Sequence, residues 1–74
     1  EIDYDSEEFK RTYEMIIRAE PNNTENYLIL INECLSDGEE DRARKYYERM
    51  LFYNPAFEKS FDEILEDFNT LYNM

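Results

Sequence analysis

The chain is interrupted twice by the same kind of break. Glu20-Pro21-Asn22-Asn23 and Tyr53-Asn54-Pro55-Ala56 each cut across an apolar pattern, and the two prolines stand thirty-four residues apart. Proline pushes the residue before it out of helical geometry and cannot continue a helix itself, while asparagine favours turns and caps. A third break, Ser36-Asp37-Gly38, holds the single glycine of the chain. Together the three breaks divide the sequence into four intervals, each long enough for a helix and too long for an ordinary strand.

Each interval carries a helical pattern. Phe9, Tyr13, Ile16 and Ile17 recur at steps of four, three and one, which predicts a helix over 6–20 with Asp5 or Ser6 as its cap. The second helix is expected over 24–35, capped by Asn23 or Thr24. Its Tyr27-Leu28-Ile29-Leu30-Ile31 run has no polar break, so it is covered on most sides or shows an apolar surface to something else. A buried strand would also accommodate such a run, but the interval is helix-sized and no second strand offers to pair with it. A third helix over 39–53 places Ala43, Tyr46, Tyr47, Met50 and Leu51 on one stripe, with acids in its first turn where they complement the helix dipole. The fourth, over 57–72, aligns Phe61, Ile64, Leu65, Phe68, Leu71 and Tyr72. Acid-before-base pairs four apart, Glu7 with Arg11, Glu14 with Arg18, Glu40 with Arg44 and Asp41 with Lys45, add local support. The expectation is an all-α domain over 1–74, its four helices packed as antiparallel neighbours through short connections.

Composition narrows the function classes. Seven Tyr and five Phe make the aromatic share 16%, which argues for a packed core over a solvated acidic tail. Nineteen acids against eight bases leave a net charge of −11, which repels phosphate backbones and anionic membrane surfaces. Direct nucleic-acid and membrane binding are therefore not expected. No apolar run approaches the ~20 residues of a membrane span, and no charged-then-apolar leader stands at the start. The expected setting is the cytoplasm or another intracellular soluble compartment. Cys34 is the only cysteine and the chain has no histidine, so an internal disulfide is excluded and no transition-metal site or cofactor is expected. Cys34 reads as a small apolar core residue. Asn22-Asn23-Thr24 is a glycosylation sequon that an Asn-rich turn produces readily by accident.

The thirty-four-residue interval, with two antiparallel helices inside it, resembles the tetratricopeptide repeat. One repeat fits residues 24–57, with Pro21 at its entry, Tyr27 standing for the family's first large aromatic, Leu30 for its leucine and Gly38 in its turn. Ala43, Tyr47 and Pro55 complete the pattern, and the string GEEDRARKYYERMLFYNP carries most of the likeness. Phe9, Tyr13 and Ile17 precede Ala43, Tyr47 and Leu51 by the same period, and Phe61 and Leu65 follow Tyr27 and Ile31 by it. The resemblance implies a right-handed stack holding the second helix of one repeat, one full repeat, and the first helix of a third. Ile31, Cys34 and Met50 depart from the family pattern, and Ile31 and Met50 stand where it has small residues, which implies helices pushed apart or crossing at a different angle. The second-helix segment also resembles the sibling half-a-TPR repeats of RNA-processing scaffolds, through Ala43, Arg44, Tyr46, Tyr47, Glu48, Arg49 and Leu51.

The resemblance implies a non-catalytic scaffold whose inner surface receives a peptide or partner helix. Carried onto this chain, that surface comprises Glu25, Leu28, Ile29, Asn32 and Leu35, then Asp62, Glu66 and Asn69. Leu28 and Ile29 would supply an apolar anchor, and the acids would steer a basic or amphipathic ligand. A plainer reading has Leu28 and Ile29 covered by the flanking helices and the acids merely solvated. The family's carboxylate-gripping groove is not reproduced, since Leu28 and Asp62 stand where it would need cations. No catalytic constellation emerges: Glu63 and Asp67 lie one turn apart but lack a histidine, a serine–base pair or a phosphate loop. Asp3, Asp5 and Glu7 lack the glycine and remaining ligands of a calcium loop. An alternative to the peptide-binding module is a structural or self-associating piece of a longer helical scaffold, a reading that the absence of an initiating Met favours, because repeat arrays usually need about three units.

Overall fold

The computed structural model describes residues 5–72, and within them the fold is four α-helices without a strand: α1 Ser6–Ala19, α2 Thr24–Ser36, α3 Glu40–Tyr53 and α4 Phe61–Tyr72. Their ends follow from local chemistry. The Asp5 carboxylate accepts from the backbone N–H groups of Glu7 and Glu8 at 3.0 and 3.2 Å, so Asp5, not Ser6, caps α1. Asn23 caps α2 by accepting from Glu25 N–H at 3.1 Å. At the other end of α2, Glu39 N–H donates to Cys34 C=O at 2.8 Å and Gly38 N–H to Leu35 C=O at 3.0 Å, which is a Schellman closure. That closure needs a left-handed residue, and Gly38 supplies it at φ +74°.

The fourth helix starts four residues later than expected. Ser60 and Glu63 form a reciprocal capping box, Glu63 N–H donating to Ser60 Oγ at 3.1 Å and Ser60 N–H to Glu63 Oε1 at 2.9 Å. Residues 57–60 stay out of the helix, with Phe57 folded back as a half-buried residue against the core. The other boundaries move by a single residue, α1 ending at Ala19 and α3 beginning at Glu40. Of the expected pairs four apart, Glu14–Arg18 and Glu40–Arg44 close at 3.9 and 3.8 Å. Glu7 turns instead to Lys10 and Arg42, and Asp41 and Lys45 form no ion pair among the described residues.

The helices gather around α2, which packs on α3 most extensively, then on α1, and more lightly on α4. The core is built from Ile17 of α1, Tyr27, Leu30, Ile31 and Cys34 of α2, Ala43, Tyr46 and Met50 of α3, and Phe61 and Ile64 of α4. Ile31, Cys34 and Met50, the residues that depart from the repeat pattern, are fully buried there. Burial pushes the Cys34 thiol up to about 11, so it remains a protonated core residue. α4 meets α3 at its first turn, where the Phe61 ring lies 5.6 Å from that of Tyr47 and the Arg44 guanidinium sits over it at 4.4 Å. The two proline breaks come together at one end of the bundle, since Asn54 Nδ2 donates to Pro21 C=O at 3.3 Å. The thirty-four-residue interval is thus a contact in space. No described helix is long and apolar enough to cross a membrane.

Candidate functional site

Two surfaces of opposite character flank the core. Neither α2 nor α4 contains a Lys or Arg, and every basic residue of the chain except Lys59 lies on α1 or α3. The face of α2 and α4 therefore carries Glu25, Asp62 and Glu66 with no cation of its own, and all three are exposed. Asn32 and Asn69 are exposed as well, while Leu28, Ile29 and Leu35 are half-buried. Leu28 and Leu35 pack against the core, so the expected Leu28–Ile29 anchor is partly spent on the fold itself.

Between the α2–α3 turn and α4 lies a cleft of about 200 Å³ lined by Leu35, Gly38, Glu40, Leu65, Phe68 and Asn69. It brings together two of the eight candidate residues, Leu35 and Asn69, and adds Leu65 and Phe68 as further apolar lining. Leu28, Ile29, Glu25, Asn32, Asp62 and Glu66 lie outside it. Reading the α4 stripe as core alone concealed Leu65 and Phe68, which are half-buried and so partly open to a ligand.

Along the other side, α1 and α3 meet through charges. Lys10 is 1% exposed, and its ammonium donates to three carboxylates, Glu39 at 2.5 Å, Asp37 at 2.8 Å and Glu7 at 2.9 Å. Burial acts to lower the lysine's pKa, but the bonds to Asp37, Glu39 and Glu7 outweigh it and hold the ammonium charged. The same lysine holds Glu7 and Asp37 below the ordinary carboxylate range, with Arg42 assisting at Glu7 and the Ser6 hydroxyl at Asp37. Arg42 closes the knot by bridging Glu7 at 3.2 Å and Glu39 at 3.4 Å. Glu39, the residue preceding α3, makes no side-chain cap because its carboxylate is engaged here. A lysine inside the apolar face of α1 was not legible as buried, since its partners lie twenty-seven and twenty-nine positions away.

One helical turn further along α1, Glu14 accepts from the Tyr46 hydroxyl at 3.0 Å and from Arg49 at 2.6 Å. Next to this latch, Ile17, Arg18, Pro21, Tyr27, Arg49 and Tyr53 surround a cleft of about 190 Å³. Tyr27 is 0% exposed, and its hydroxyl has no hydrogen-bond partner among the described residues. Burial pushes the phenol's pKa up, and the Arg49 guanidinium acts against that rise.

The acidic pair Glu63 and Asp67 is absorbed by local structure, Glu63 in the capping box and Asp67 in an ion pair with Lys59 at 2.5 Å. Asp5 serves as a cap and Asp3 lies outside the described residues, among which no group of three or more acids or cysteines is placed to hold a metal ion. No protein-family model matches the chain, and neither a curated protein nor a solved structure matches it significantly.

Proposed function

We propose that the chain is a tetratricopeptide-like, non-catalytic interaction module whose α2–α4 face receives a basic, amphipathic peptide or partner helix in an intracellular soluble compartment. The observation that carries this reading is the cleft between α4 and the α2–α3 turn, with Leu35, Leu65 and Phe68 as its apolar lining, beside two helices that carry acids and no cation of their own. An apolar anchor would enter the cleft, and Lys or Arg one turn away on the ligand would meet Glu40, Asp62 or Glu66. The packing of α2 against α1, α3 and α4 supports the repeat-like arrangement, because the first helix of a repeat must touch its own second helix and both neighbouring repeats.

A titration with a basic amphipathic peptide, followed by amide NMR at low and high salt, tests the reading. Saturable shifts at Leu35, Leu65 and Asn69 that weaken with salt are expected. Reversing Asp62 and Glu66 to lysine should weaken binding, chiefly through slower association. Shifts confined to α1 and α3, or none, would overturn it. A second reading, self-association within a helical scaffold of the half-a-TPR kind, is favoured by Phe52, Met15 and Leu71, which are 79%, 70% and 69% exposed. Light scattering over a concentration series separates the two: a dimer that persists in high salt supports self-association, and a monomer throughout removes it.

A further inference from the structure

The Tyr46–Glu14–Arg49 latch shows how this seam holds a carboxylate, with a tyrosine hydroxyl donating to one oxygen and an arginine to the other. The neighbouring cleft holds the same kinds of donor: a tyrosine hydroxyl without an acceptor, beside Arg49 and Arg18, which both reach Glu14. Tyr27 presents a fully buried hydroxyl that has no partner among the described residues, and Arg49 lines both this cleft and the larger one that contains Tyr46 and Glu14. Arg18 is only loosely held, because its side chain is 73% exposed and reaches Glu14 at 3.9 Å. Leaving a phenolic hydroxyl dry and unpaired is costly, so an acceptor in this cleft would satisfy a need that the folded chain leaves unmet.

Charge and size select the acceptor. Arg18 and Arg49 bring two positive charges and Glu14 one negative, which leaves room for a single further anion. A cleft of about 190 Å³ is too small for a helix and large enough for one short acidic side chain or chain end. Lys45, which has no ion pair among the described residues, adds a further cation in the adjoining cleft, where Arg42 and Arg49 stand beside Glu14 and Asp41. We propose that the cleft between α1, α2 and the end of α3 is a carboxylate-binding site, in which Tyr27 and Arg49 grip one carboxylate of an acidic peptide and Arg18 closes over it. This cleft shares no lining residue with the one beside α4 and takes a ligand of the opposite charge, so neither proposal depends on the other.

The test uses three short peptides of Gly and Ser: one with a single internal Glu and both ends capped, one with no Glu and a free C-terminus, and one fully capped with Gln for Glu. Binding is read from NMR shifts of the Tyr27, Arg49 and Arg18 signals. The capped Glu peptide, the free C-terminus, or both should shift these signals saturably, with affinity on the order of millimolar, as befits one carboxylate. Whichever binds identifies the source of the carboxylate. The Gln peptide should do nothing. Tyr27→Phe is the decisive variant, because it removes a hydroxyl that bonds to nothing in the free protein and leaves the ring in the core. It should weaken binding by roughly tenfold or more while the fold is retained. Arg49→Gln should abolish binding, although it also opens the Glu14 latch. No shift from either carboxylate peptide, equal shifts from the Gln control, or unchanged affinity in Tyr27→Phe would overturn the assignment.

Discussion

Lys10 reaches Asp37 at the far end of α2 and Tyr27 stands in the first turn of that helix, and both are removed from solvent, at 1% and 0% exposure. Around Lys10 every donor of the ammonium meets a carboxylate, and a second cation, Arg42, ties two of those carboxylates to α3. At Tyr27 the hydroxyl meets none. The difference lies in what each buried group would cost if left alone. An unpaired buried ammonium is prohibitive, so the chain gathers α1, the α2–α3 turn and α3 about it; an unpaired phenol costs only a few kcal/mol at most, which a small core can carry. The first end of the molecule is closed by its own charges, and the second has room for a ligand to complete it.

The contrast is broken most severely at Lys10. Lys10→Met should destabilise the fold by about 2 kcal/mol, because it abandons three convergent carboxylates that are partly open to solvent, a large fraction of the stability of a domain this size. Chemical denaturation measures it directly. The same knot sets an acid limb. Glu7 and Asp37 have folded pKa values below their ordinary 4.5 and 3.8, so their contribution is fully present above those values and is lost as pH falls through the lower, folded ones. Wild-type stability should therefore drop steeply in that range, and Lys10→Met should flatten the drop. An acid limb of equal slope in the two proteins would show that the knot is not responsible.

Gly38→Ala comes next in size. Space around a new Cβ is open, with nothing within 4 Å, so its cost is the left-handed backbone alone, about 1 kcal/mol. It would also shift the turn that carries Asp37 and Glu39, coupling it to Lys10. A double-mutant cycle with Lys10→Met should show a nonzero interaction, whereas strict additivity would mean that the turn and the knot are independent.

Tyr27→Phe should have the smallest effect and the opposite sign. Removing an unsatisfied hydroxyl is expected to leave thermal stability unchanged or to raise it slightly. A loss of more than about 1 kcal/mol would mean that the hydroxyl has a structural partner, and the symmetry of argument between the two ends would fail.

Most of the secondary structure was legible because its causes are local. Asp5, Asn23, Gly38 and the two prolines act within a few residues of where they stand, and the apolar stripes of α1, α2 and α3 mark the faces that the structure buries. The late start of α4 was local too: Ser60 and Glu63 spell a capping box that the expected start at 57 passed over, and tertiary packing uses the Phe57 ring outside the helix. The candidate ligand face was legible only in part. Leu35 and Asn69 reach the cleft, yet Leu28 is drawn onto the core and Leu65 and Phe68 take over the apolar lining, because which side of a helical stripe stays open depends on how far its neighbours cover it.

The sequence by itself determined that this chain makes four helices, where they break, and that its cations are confined to α1 and α3 and to Lys59, since helix formation, capping and charge placement are set within a turn or two of chain. Only the tertiary structure decided that Lys10 is enclosed by Asp37 and Glu39, that Glu14 is held by Tyr46 and Arg49, and that Tyr27 is left without an acceptor. Those outcomes join side chains from different helices, most of them about thirty residues apart in the chain. Their geometry follows from how α1 and α3 settle on α2, which no local pattern encodes.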